Sequence, residues 1–168
     1  VRTKEVIDQY LPFAKGKYQL HHSDGIALEE LKDKSDYLDA SISDPPYVLN
    51  AERYSDDPRD ISSLNHKGYM AKIKENFEQL YRLIKKSDFE KKKFYPVIFK
   101  VGMGRKGAKG IIDMNADFQR IGREAGFVVW DIFFNQLATP WASVNWERNY
   151  VNRYVQKNFE ANLVFVKF

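Results

Sequence analysis

Apolar side chains between residues 66 and 84 fall at Tyr69, Ile73, Phe77, Leu80 and Ile84, spaced 4, 4, 3 and 4. That spacing is the stripe of an amphipathic helix. Lys72, Lys74, Glu75, Glu78 and Arg82 fall largely away from it, and Lys85 and Lys86 suit the negative end of the helix dipole. A second helix is predicted from an Asp113 cap through Met114, Phe118, Ile121 and Ala125, with Gly126 placed to end it. Four apolar runs read as strands: 38–43, 94–101, 127–134 and 163–168, with Pro96 weakening the first half of the second. Weaker signals predict a helix over 4–11 ended by Pro12, a strand over 18–22, and a brief helix carrying Ile26, Leu28 and Leu31. Residues 49–64 read as a polar surface loop, and 138–158 mix polar and aromatic residues without a clean period. Strands alternating with helices predict an α/β layer fold with a largely parallel sheet.

Composition narrows this picture. At 168 residues the chain fits a single domain, 1–168, and with 43% hydrophobic and 15% aromatic residues it has the material for a core. A net charge of +4 permits a nucleic-acid partner without demanding one. The absence of Cys excludes disulfides, thiolate zinc sites and a thiol nucleophile. His21, His22 and His66 lack metal-ligand spacing, so no metal is expected. No apolar run is long enough to span a bilayer, and no apolar segment follows Val1-Arg2-Thr3-Lys4-Glu5 as in a signal peptide. The expectation is a cytoplasmic protein with no membrane partner. A start at Val1 rather than Met hints at a piece of something longer.

The chemistry concentrates at Asp44-Pro45-Pro46-Tyr47, which ends the strand predicted over 38–43. Ligands of open α/β sheets bind beyond the carboxyl ends of strands. Asp44 offers a carboxylate that accepts from an amino group. The two prolines donate no N–H and stiffen the backbone, so their carbonyls stay in place as acceptors. Tyr47 offers a flat face for stacking. Two acceptors beside a stacking platform describe a clamp for a planar amine, such as the exocyclic NH₂ of a nucleobase. The plainer reading is a proline turn at a strand end.

With these residues the chain resembles the amino-methyltransferases that methylate adenine N6 or cytosine N4 in DNA. The resemblance runs through five segments in order: 20–31, 37–47, 101–107, 118–127 and 162–167. It implies a Rossmann-like S-adenosylmethionine-dependent methyltransferase sheet. Asp44 and the Pro45 carbonyl would hold the target amine, with Pro46 stiffening the loop and Tyr47 stacking on a base flipped from the duplex. Asp24 and Gly25, with Asp44, would contact the cofactor. The family's Phe-x-Gly-x-Gly cofactor loop is absent. In a permuted arrangement of the family it follows the last segment seen here. The fold is therefore expected to be incomplete in this chain, with the cofactor loop on a missing C-terminal half or a second chain. Adenine N6 is expected ahead of cytosine N4, in a bacterial or phage-type protein with DNA as partner. An RNA or protein-glutamine amine methyltransferase, and a non-catalytic nucleic-acid-binding subunit, are the alternatives.

Other signals are weaker. Gly102-x-Gly104-x-x-Gly107 matches a dinucleotide fingerprint, but the next helical face begins only near Asp113. Arg105, Lys106 and Lys109 in that segment are candidates for phosphate contacts. Trp141, Arg148 and Arg153 belong to an interleaved set of rings and cations that suits nucleic acid, or equally a partly buried aromatic cluster. The lysines at 85–86 and 91–93 read as solvated helix ends and loops.

Overall fold

A computed structural model of the chain describes residues 4, 5, 8, 9, 19, 21, 25–46, 57, 60–102, 104, 105, 111–136 and 159–168. Its main sheet contains β1 (Ser41–Ser43), β2 (Val97–Val101), β5 (Val128–Gln136) and β6 (Phe159–Val166) in the order β1-β2-β6-β5. A separate ribbon pairs β3 (Gly104–Arg105) with β4 (Ile111–Ile112). Helices α1 (His66–Leu83) and α2 (Met114–Glu124) pack with them among the described residues.

The expected largely parallel sheet is mixed. β1 and β2 are parallel, whereas β6 runs antiparallel to both β2 and β5. The last strand enters between two strands that precede it in sequence. Such non-local pairing leaves no trace in local periodicity.

The helix predictions hold closely. Asn65 caps α1 by accepting from the Gly68 N–H, and Asp113 caps α2 by accepting from the Ala116 N–H. Each cap satisfies an N–H that the helix itself cannot. After α2, Gly126 takes φ 102°, and the Phe127 N–H donates back to the Gly122 carbonyl at 3.0 Å. This is the glycine stop foreseen there. Ile84 follows α1 as its buried C-cap. The cation that reaches the end of α1 is Lys167, whose Nζ donates to the Tyr81 carbonyl at 2.9 Å and Asp36 Oδ1 at 2.7 Å. Lys85 instead pairs with Asp39 at 2.7 Å.

One face of the sheet forms the core. Val97, Phe99 and Val101 of β2 and Ala161, Leu163 and Phe165 of β6 are buried there. The stripe of α1 and the Met114, Phe118 and Ile121 face of α2 belong to the same cluster. Phe77 lies at its centre, with ring centroids 4.6 Å from Phe99 and 4.9 Å from Phe165. Packing of this kind supplies most of the stability of a short helix.

Strand ends differ from expectation. β1 begins only at Ser41, because Leu38 makes an isolated bridge to Ile84. It is also not a buried strand. Its middle residue Ile42 is 79% exposed, and β1 is the sheet edge among the described residues. β2 begins after Pro96, whose carbonyl accepts from the Ser41 N–H at 3.0 Å. The brief helix near Leu28 is a 3₁₀ turn at Glu29–Leu31. Lys4, Glu5, Asp8 and Gln9 are helical. Gln19 and His21 are not in a strand, and the rest of the predicted 18–22 strand lies outside the described residues.

Candidate amine-binding site

The carboxyl end of β1 delivers the site. Strand pairing joins Ser43 to Phe99 in parallel register. One residue further on, Asp44 stands beside Lys100 of β2, whose side chain alternates away from the buried Phe99 and Val101. Pro45 and Pro46 then end the pairing, because proline brings no N–H to a ladder.

Beyond this strand end lies a cavity of about 280 Å³. Ser43, Asp44, Pro45 and Pro46 line one side, Gly25 and Ile26 another, and Ile61, Ile73, Asn76 and Phe99 the remainder. Among the expected site residues, Gly25, Asp44, Pro45 and Pro46 are thus brought together. Tyr47 and Asp24 lie outside the described residues, as do Lys106, Lys109, Trp141, Arg148 and Arg153. Arg105 falls on β3, part of the two-stranded ribbon that follows β2. Gly104 lies on that ribbon and β4 precedes α2, so among the described residues the fingerprint leads into a strand and not directly into α2; Gly107 lies outside the described residues.

Two contacts that the sequence pattern did not reveal bear on the site, the first from a residue that lines the cavity and the second through Asp44. Asn76, on the buried side of α1, is 6% exposed. Its Nδ2 donates to the carbonyls of Gly25 at 3.0 Å and Ile26 at 3.2 Å. The helix thereby holds the turn that forms the second wall. The available signal was a polar residue inside an apolar helical stripe.

The second contact is an ionic bridge. Lys100 Nζ lies 3.2 Å from Asp44 Oδ2 and 2.9 Å from Glu160 Oε2 on β6. Hydrogen bonds to Glu160 and then to Asp44 hold the Lys100 ammonium above the ordinary lysine pKa, against a smaller opposing effect of burial. Lys100 therefore stays charged through the neutral range. The sequence signal was a lone cation near the end of the apolar run of β2.

Chemically, the cavity combines apolar walls with acceptors at one rim. Ile26, Ile61, Ile73 and Phe99 suit the faces or edges of a ring. Its volume is just under the roughly 300–1,000 Å³ usual for small-molecule sites. Among the described residues no group of three or more His, Asp or Glu is gathered to hold a metal ion, and no helix is long and apolar enough to cross a membrane.

Comparison with known proteins agrees with this architecture. No family model matches the chain, and no curated protein matches it by sequence. Solved structures do match. A candidate DNA modification methylase from Thermus thermophilus, TTHA0409, superposes with a TM-score of 0.60 at 15% identity, covering 89% of this chain and 54% of that one. Its complex with S-adenosyl-L-methionine gives a TM-score of 0.57 at 16% identity, covering 85% and 53%. The M1.HpyAVI complex with the same cofactor gives 0.52 at 19% identity, covering 89% and 53%. The chain thus has an α/β fold shared with part of these methylases, a partial Rossmann-like sheet. It spans about half of their length.

Proposed function

We propose that this chain, as one domain over 1–168, carries the amine-holding part of an S-adenosylmethionine-dependent DNA methyltransferase. The target is an exocyclic amine, adenine N6 ahead of cytosine N4. The observation that carries this reading is the placement of Asp44, Pro45 and Pro46 beside a ring-sized cavity at the end of β1. The similarity in fold to methylases, two of them solved with S-adenosylmethionine, supports it.

Asp44 and the Pro45 carbonyl accept hydrogen bonds from the target amine, which orients its lone pair. Pro46 keeps that carbonyl in place, and Tyr47 stacks on the base after it leaves the duplex. Asp24 and Gly25 contact the cofactor, whose contribution is an electrophilic methyl group. In the transfer that the bound cofactor would supply, the S–CH₃ bond would break as the N–CH₃ bond forms, leaving the neutral thioether S-adenosylhomocysteine; the Asp44 carboxylate would stabilise the positive charge gained by nitrogen, and an N–H proton would then pass to water. Orientation and fixed charge provide the acceleration, so no strong base is needed. Arg105, Lys106, Lys109, Trp141, Arg148 and Arg153 supply contacts to DNA. The remaining cofactor walls come from a further part of the fold, on the same polypeptide or a second chain. A DNA substrate implies an intracellular setting.

The test is transfer of labelled methyl from S-adenosylmethionine to duplex DNA by the complete protein carrying this chain. Asp44→Ala is expected to abolish transfer while the protein remains folded. A second reading is a DNA-binding subunit without its own catalysis. It predicts salt-dependent DNA binding that Asp44→Ala leaves unchanged.

A further inference from the structure

We infer that Asn76 is a cofactor-binding residue, whose Oδ1 accepts a hydrogen bond from the amino group of the cofactor's adenine. The inference deepens the methyltransferase reading above and rests on it. Asn76 lines the cavity and is 6% exposed. Its Nδ2 is committed to the carbonyls of Gly25 at 3.0 Å and Ile26 at 3.2 Å. A carbonyl accepts and cannot donate, so the NH₂ end of the amide must face the turn. Oδ1 is left as the polar atom that Asn76 can offer to an occupant of the cavity. Among the described residues no donor pairs with it. A nearly buried acceptor without a donor is unfavourable, and a ligand N–H would satisfy it.

The surroundings say what kind of ligand carries that donor. Ile26, Ile61, Ile73 and Phe99 line the same cavity. A single acceptor among carbon surfaces matches a planar ring with an amino group at its edge. The turn that Asn76 holds also has room beside it, since a Cβ built on Gly25 would meet no heavy atom within 4 Å.

Two amino-substituted rings take part in the proposed reaction, the target base and the cofactor's adenine. In the proposed clamp the two N–H groups of the target amine go to Asp44 and the Pro45 carbonyl. Adenine or cytosine joined to deoxyribose has no other N–H to offer. The amine of the cofactor's adenine keeps both of its own, and Gly25, the residue that Asn76 holds, is a proposed cofactor contact. Hydrogen-bond counting therefore assigns Oδ1 to the cofactor. An oxo group in place of the amine would set one acceptor against another, so the same atom favours an aminopurine over an oxopurine.

The experiment is calorimetric binding of S-adenosylhomocysteine to the complete protein, as wild type, Asn76→Leu and Asn76→Ser. Two analogues are compared with it, one with the adenine amine replaced by hydrogen and one lacking the ribose 2′-hydroxyl. No DNA is present, so the target base cannot supply the contact. Wild type is expected to bind the analogue without the amine about 3- to 10-fold more weakly, the worth of one neutral hydrogen bond. Both variants should bind every ligand more weakly, because the turn loses its donors, yet they should no longer distinguish S-adenosylhomocysteine from the analogue without the amine. That lost ratio is a readout that a purely structural role for Asn76 would leave unchanged. Equal binding of the two by wild type, or variants that keep the wild-type ratio, overturns the inference and leaves the methyltransferase reading standing. A penalty confined to the 2′-deoxy analogue and lost in the variants also overturns it, by assigning the donor to the ribose. Wild type that does not bind S-adenosylhomocysteine overturns both. If Asn76→Leu does not fold, Asn76→Ser decides.

Discussion

The Asn76 side chain on α1 donates to the Gly25 carbonyl at 3.0 Å, joining residues 51 positions apart across one wall of the candidate site. The same Nδ2 reaches the Ile26 carbonyl, so one amide satisfies two acceptors of a turn. Asn76→Leu keeps an apolar helix face but removes both donors. It is expected to lower stability by about 0.5–1.5 kcal/mol, the net worth of an ordinary hydrogen bond, because the turn is exposed at Gly25 and half-buried at Ile26 and water can reach the freed acceptors. It should also weaken S-adenosylmethionine binding by loosening the turn after Asp24. Urea titration and calorimetry on the complete protein check the two effects.

Gly122 of α2 leaves no room for a side chain against the sheet. A Cβ there would stand 2.3 Å from Phe165 Cε1 and 3.1 Å from Phe77 Cε1, two rings buried at the centre of the core. Alanine normally favours a helix over glycine by about 1 kcal/mol. Here overpacking reverses that preference, and Gly122→Ala is expected to destabilise by about 1–3 kcal/mol. Chemical denaturation measures it, and a stabilised variant would contradict the packing.

Lys167 ties the last strand to the end of α1. It is 7% exposed and donates to Asp36 Oδ1, the Tyr81 carbonyl and the Ile84 carbonyl. Lys167→Met is expected to cost about 1–3 kcal/mol, because the helix-end carbonyls lose their donor. The hydrogen bond from Lys167 also holds the Asp36 carboxyl below its ordinary value. A depressed carboxyl contributes stability above its unfolded pKa, about 3.9, and loses it as pH falls through the lower folded value. Wild type should therefore lose stability below about pH 4 that Lys167→Met has already lost. Unfolding curves from neutral pH down into the acid range compare them.

The helices and the site loop were legible because their signals are local. The stripe from Tyr69 to Leu80, the Asp113 cap and the Gly126 stop each lie within a few residues of what they control. Asp44-Pro45-Pro46 announced a strand end for the same reason, since proline ends pairing wherever it falls. The arrangement of strands was not legible. The insertion of β6 between β2 and β5 depends on pairing Val97 with Phe165, 68 positions away. The Lys100 bridge follows from that pairing: it joins Asp44 to Glu160 only because β6 lies beside β2. Asn76 was hidden differently, as a polar residue on a face whose periodicity reads as core.

Nucleoside mass spectrometry after reaction of the complete protein with duplex DNA and S-adenosylmethionine decides whether Asp44 serves methyl transfer to an exocyclic amine. The expected product is a methyl group on an exocyclic amine, as N6-methyladenine, and none after Asp44→Ala. N4-methylcytosine would keep the amine clamp and overturn the adenine preference. Methyl on a ring carbon, or N6-methyladenine undiminished in Asp44→Ala, would contradict the account.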